Sequence, residues 1–323
     1  MMKRILVAAT AFASSWLVLS AAQAGGANRA WVSGHGADAA GCGAPTNPCR
    51  SFQYVHDNIV AAGGEIDILD PAGYGAVTIS KALSIVNDGV GTAGVQATSG
   101  DAITINAGAN DVVTLRGLNI DGLGTGANGI VFNSGGGLTV TDCAIRHFAG
   151  SGASGNGVLI QPTSGSTTLL ISNVTVSDNG HSGVYLLSPS GAPNVTAAID
   201  GLTALNNSAV DVFVDSSNAT GGAVSVAMSD SIATSAQNGV LLKSAAAPLS
   251  ASIDRSTFSN NLIGVYAGGT ATVLLGRSVI TSNSQDGVVN NTYPNTLYTY
   301  GDNRINGNGT DIPNALNTTY AQR

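Results

Sequence analysis

The chain has 323 residues, with 12 basic and 19 acidic side chains, 43 glycines and 43% hydrophobic residues. Charged residues make up 10%, against about 25% in an ordinary globular domain, which excludes a highly charged, weakly hydrophobic disordered chain. The net charge of −7 with scattered basic residues excludes the basic stripe that nucleic-acid binding needs, and the single glutamate, Glu65, disfavours a helix-rich fold.

Residues 1–24 read as a secretory signal peptide. Lys3 and Arg4 give the positive start, an apolar run from Ile5 to Leu19 follows, and Ala22-Gln23-Ala24 fits a small-residue cleavage site. A membrane anchor is the rival reading, but the run is broken by Ser14 and Ser15 and falls short of the ~20 residues that span a bilayer. The expectation is a secreted protein, periplasmic or extracellular, with no membrane span after cleavage.

Residues 25–62 are expected to hold an N-terminal loop and a capping helix. Cys42 and Cys49 bracket a Pro- and Gly-rich loop, Gly43 to Pro48. In an oxidising compartment these two predict a disulfide, and closing so short a loop contributes about 2–3 kcal/mol. A zinc pair is the alternative, but no second Cys or His pair lies nearby at ligand spacing. Cys143 reads as a buried small hydrophobe. Phe52, Val55, Ile59 and Ala62 share one helical face, which predicts a helix over 50–62 that caps the N-terminal end of the repeat region.

Residues 63–308 repeat one unit. It runs short strand, polar residue, second short strand, Asn- or Gly-containing corner, then a third strand opening on Gly-Val or Gly-Ile. The polar residue after the first strand gives the column Arg116, Asp142, Asn173, Gly201, Asp230, Arg255, Arg277 and Asp302, in steps of 22 to 31 residues. Such a unit cannot bury its own apolar face and must stack on its neighbours. A leucine-rich frame is absent, and a propeller blade needs about 40 residues. The fold class is therefore all-β: a single-stranded right-handed parallel β-helix, a solenoid of about ten three-strand coils. Rungs ~4.8 Å apart would let Arg116 pair with Asp142, Asp230 with Arg255, and Arg277 with Asp302. Asn179, Asn207, Asn261, Asn283 and Asn308 form a second column, expected to take the left-handed backbone of a corner and to bond rung to rung. Residues 309–323 are expected to cover the far end as a C-terminal cap or tail.

Trp31-Val32-Ser33-Gly34, Asn47-Pro48-Cys49-Arg50-Ser51-Phe52 and Gly63-Gly64-Glu65-Ile66 resemble the N-terminal cap of secreted β-helix proteins of the pectate-lyase-like superfamily. Asp70-Pro71-Ala72-Gly73-Tyr74 continues the likeness, and Tyr300-Gly301-Asp302-Asn303 is similar to the last coils of bacterial members. The resemblance implies architecture. It does not carry an activity, because the superfamily holds lyases, hydrolases, epimerases and members of no assigned activity.

Residue by residue, the family's enzyme motifs are incomplete. Asn119-Ile120-Asp121 matches the Asn-x-Asp strand end of polygalacturonases, but the chain has no Asp-Asp dipeptide, and Gly34-His35-Gly36 precedes the cap helix. The second carboxylate of glycoside hydrolysis is missing. No organic cofactor is expected. Pectate lyases gather several Asp on adjacent strands around calcium, and no Asp cluster here has the density of such a cage. One constellation remains. Asp121, Arg146 with His147, and Asp178 follow the second strand of three successive coils, so stacking would gather them on one ridge. A basic residue there would abstract a proton from a uronic acid while the aspartates held a cation or sugar hydroxyls. His181 sits just beyond this group; an ordinary polar corner is the alternative, and His35 and His56 are weaker candidates. The expected function is a non-catalytic module that binds polysaccharide, an acidic one among the candidates, or serves the cell envelope. A uronan lyase with a divergent site is the other reading, and a groove lined by the ridge side chains would favour it.

Overall fold

The computed structural model describes residues 26–319 except Tyr293, Asn295 and Ala315, so residues 1–25, where the signal peptide is expected, and residues 320–323 lie outside the described residues. Among the described residues the chain is a parallel β-solenoid of about nine turns, one fewer than the repeat spacing predicts. Its three sheets have 12, 10 and 9 strands, so turns at the ends are incomplete. In each turn the chain visits the 12-stranded sheet, then the 10-stranded and then the 9-stranded sheet.

Alternation explains the first sheet. Thr167–Ser172, Val195–Asp200 and Val224–Ser229 each place every second residue inward, with polar or Ala side chains outside apart from the exposed Leu170. The 9-stranded sheet is apolar on both faces, as in Asn156–Ile160 and Ser182–Leu187. Its inner side chains join the main core. Its outer column, Val131, Leu159, Tyr185, Phe213 and Leu241, forms a separate apolar ladder, with Tyr266 packed at its end. Tyr185 and Phe213 stack at 4.5 Å between ring centroids, so one face of each is spent on the other.

Two of the three corners are tight. The first turns on one left-handed residue per coil: Asp142, Asn173, Gly201, Asp230, Arg255 and Arg277. Arg116 departs from the expected column, because it ends the strand Val112–Arg116 and Gly117 takes the corner. The second corner turns on His147, Asp178, Asn206, Ser235, Asn260 and Ser282. The buried asparagines expected to be left-handed come one residue later, and their role is hydrogen bonding. Asn179 donates its amide Nδ2 to Asn207 Oδ1 at 2.9 Å, and Asn283 donates to Asn308 Oδ1 at 2.8 Å. The same oxygens also accept the backbone N–H of the neighbouring rung.

The expected ion pairs hold in two cases. Arg116 reaches Asp142 at 3.6 Å, and Arg255 reaches Asp230 at 2.5 Å. Arg277 turns the other way: its guanidinium clamps Asp254, and only its backbone N–H meets Asp302, at 3.1 Å. The stagger of side chains along the column favours the rung below, where Asp254 is already presented beside Arg255.

At the N-terminal end the helix is Phe52–Asn58, seven residues with Ser51 as its N-cap. It stops short of residue 62 because Val60–Ile68 pairs as a strand beside Ala27–Val32, and ladder bonds displace the helical pattern. Cys42 and Cys49 form a disulfide, with Cα atoms 5.0 Å apart. Cys143 is buried and unpaired, and burial pushes its thiol up to about 11.

Candidate functional site

The three strands Leu118–Asp121, Ala144–Arg146 and Thr175–Ser177 stack in register, with Asp121 beside Arg146 and Arg146 beside Ser177. Corner residues His147 and Asp178 follow at once. All four residues of the expected constellation therefore lie on one ridge, across three turns. Their left-handed backbone, with φ of 60° at His147 and 56° at Asp178, throws both side chains outward.

The geometry divides the four into two parts. Asp121 is the hub of the first. Arg146 Nε lies 3.1 Å from its Oδ2, His147 Nδ1 lies 3.1 Å from its Oδ1, and the backbone N–H of Leu123 donates to that Oδ1 at 2.9 Å. The Asp121 side chain is 14% exposed, against 46% for His147. Asp178 belongs to the second part. It accepts the Asn206 amide at 2.6 Å. That bond, helped by Ser177 and the His147 and Arg146 charges, holds its carboxyl below the usual range despite partial burial.

An open groove of about 330 Å³ runs over the second part, lined by His147, Phe148, Asp178, Asn179, Asn206 and Ser208 among others. Asp121 and Arg146 do not line it. His147 and Asp178 thus face a depression, whereas Asp121 and Arg146 lie off it, with Asp121 holding His147 and Asn206 holding Asp178. Asn206 is absent from the candidates drawn from the sequence. Its signal is its place in the corner register, one rung beyond Asp178.

The residues do not fit a calcium cage. The Asp121 carboxylate is occupied by a guanidinium, an imidazole and a backbone N–H, and among the described residues no three His, Cys, Asp or Glu side chains converge. The other histidines have structural surroundings. His56 is buried, its Nδ1 2.7 Å from Asp57 and its Nε2 accepting the Ser80 backbone N–H at 3.1 Å. His181 packs on the Tyr185 ring and lies 3.0 Å from Asn156 Oδ1, with burial holding its pKa down. His35 sits in the loop before the helix, where its backbone N–H donates to Ser33 Oγ.

No family model matches the chain, and no curated protein matches it by sequence. Among solved structures it is similar to pectate lyase Pel9A, with a TM-score of 0.54 and 19% identity over 86% of this chain and 70% of that one. A Geobacillus virus E2 protein, ORF18, aligns with a TM-score of 0.44 and 12% identity over 76% of this chain and 51% of that one, too loosely to support an argument. The likeness to Pel9A is one of fold, the right-handed parallel β-helix.

Proposed function

We propose that this chain is a secreted, non-catalytic β-helix that binds polysaccharide through the His147–Asp178–Asn206 groove. One observation carries the reading: the Asp121 carboxylate, the group that would act directly as acid, base or metal ligand on this ridge, is engaged by Arg146, His147 and a backbone N–H. What faces solvent is an imidazole, a carboxylate and an amide. These groups donate to and accept from sugar hydroxyls without further chemistry. Arg146 cannot serve as a base, because a guanidinium stays protonated in proteins.

A second reading rests on the same ridge. Asp121 orients His147 through Nδ1, which leaves Nε2 to accept a proton if the imidazole is neutral. Pel9A is named as a pectate lyase, and a lyase acting on a uronate polymer with His147 as base is the catalytic alternative.

Both are tested on residues 25–323 with a panel of immobilised and soluble polysaccharides. Expected are retention on at least one glycan, about tenfold weaker in Asp178→Ala or His147→Ala, and no unsaturated uronate absorbance. An absorbance rise that disappears in His147→Ala establishes the lyase and ends the binding-only reading. Retention that both variants keep at wild-type strength removes the groove from the function.

A further inference from the structure

A second depression lies several turns away, on the outer face of the 12-stranded sheet. It is about 450 Å³, within the ~300–1,000 Å³ of small-molecule sites. Its floor is the strand pair Leu249–Asp254 and Thr272–Gly276, and its walls are Asp254, Arg277, Tyr300 and Asp302. The notch at its centre is made by a glycine. A Cβ on Gly276 would stand 3.2 Å from Tyr300 Cδ2, 3.4 Å from Asp254 Oδ1 and 3.7 Å from Asp302 Oδ1. Gly276 is not in the left-handed region, so no turn requires a glycine there. What its missing side chain supplies is open space bordered by one aromatic ring and two carboxylate oxygens.

The charged groups are tied to one another. Arg277 clamps Asp254 through Nε at 2.8 Å and through Nη2, Arg255 Nη1 meets Asp254 at 2.6 Å, and the Arg277 backbone N–H donates to Asp302 at 3.1 Å. A guanidinium donates five N–H bonds, so Arg277 keeps donors beyond the two spent on Asp254. A planar donor fork and a carboxylate at one rim match adjacent hydroxyls, each of which donates and accepts. The Tyr300 ring offers an apolar wall to a C–H face.

We propose that this groove binds a neutral pyranose unit of a polysaccharide, with Asp254 and Arg277 on its hydroxyls, Tyr300 against its ring and Gly276 giving the depth. Charge selects against a uronate. Asp230, Asp254 and Asp302 outnumber Arg255 and Arg277 around the notch, so an added carboxylate meets net repulsion. The site is separate from the His147–Asp178 groove and stands without it.

Titration calorimetry of residues 25–323 with cello-, xylo-, manno- and galacturono-hexaoses tests the proposal. Expected is binding of at least one neutral hexaose, weakened tenfold or more in Gly276→Leu and in Tyr300→Ala, with unchanged melting temperature in one of the two variants. Gly276→Leu keeps any retention that depends on His147 and Asp178, which separates the two sites. The proposal is overturned by no neutral binding at millimolar sugar, by wild-type affinity in both variants, or by tighter binding of the galacturonate.

Discussion

Asp211 carries the clearest chemical signature of any single residue. It is fully buried, it has one carboxylate oxygen without a hydrogen-bond partner, and burial pushes its pKa up to about 7 against partial relief from the Asn207 amide at 2.7 Å. An unfolded aspartate titrates near 4. The folded state therefore binds the proton more tightly, and stability falls as pH rises between about 4 and 7, by up to about 1.4 kcal/mol per unit. Asp178, Asp57 and Asp70 are shifted down and have the opposite sign, losing stability as pH falls. The comparison of wild type with Asp211→Asn isolates the one group. Urea unfolding at pH 4.5 and pH 8 should find the variant's advantage growing by more than about 1 kcal/mol at the higher pH. Equal pH slopes would mean that Asp211 is charged and accommodated. At this scale the sequence is legible where chemistry repeats: the column from Asp142 to Arg277 reads directly from the spacing, and all six residues take the corner. It is illegible where one residue of slack exists. Spacing aligns Arg116 with the corner, yet Gly117 beside it accepts the left-handed backbone at no steric cost and takes it instead.

The reason Asp211 is there belongs to the element. In register with it on neighbouring rungs stand Gly157, Gly183, Gly239, Gly264 and Gly287. These are glycines because the next rung's asparagine amide occupies the space, as Asn261 Nδ2 does 2.8 Å from a Cβ on Gly239. At Asp211 the following rung carries Ala236 in place of an asparagine. The aspartate fills that gap, and its Oδ1 accepts one N–H of the Asn207 amide, whose other N–H goes to Val176 O at 3.2 Å. Asp311 repeats the device where the ladder ends, accepting the Asn308 amide at 2.9 Å. The two substitutions should therefore be coupled. Asp211→Gly alone strands a buried amide donor, at about 1–3 kcal/mol. Ala236→Asn alone crowds Asp211. The double variant rebuilds the glycine–asparagine rung and should recover most of the loss, a coupling on the order of 1–3 kcal/mol in a double-mutant cycle. Additive losses would separate the two positions. The signal is present in the sequence, since Val210-Asp211-Val212 breaks the Gly-Val opening of its neighbours. Only the register ties that break to Ala236, 25 residues on. The ridge has the same limit: spacing gathers Asp121, Arg146, His147 and Asp178, whereas the division into a locked pair and an exposed pair depends on side-chain direction, which spacing does not carry.

Over the whole molecule, every strand pairs only with the turn before and the turn after it. Stability is then close to a sum of nearest-neighbour interfaces, and a perturbation at one end is not shared by the other. The disulfide makes a test of this. Cys49 is tied to the first strand, its N–H donating to Trp31 O at 3.0 Å and its carbonyl accepting the Ser33 N–H at 2.9 Å, so the Cys42–Cys49 loop braces the N-terminal turn alone. Reduction should remove about 2–3 kcal/mol from the opening of that turn. It should leave the distal rungs unchanged, because Asn261 and Asn283 are held by bonds to Asn283 and Asn308 that make no contact with the first turn. Hydrogen exchange on reduced and oxidised protein reads the difference directly. Faster exchange confined to residues 27–68, with residues 257–292 protected as before, is the result expected of a solenoid. Uniform acceleration along the rod would instead mean that the turns unfold as one cooperative unit, and that the N-terminal brace sets the stability of both grooves.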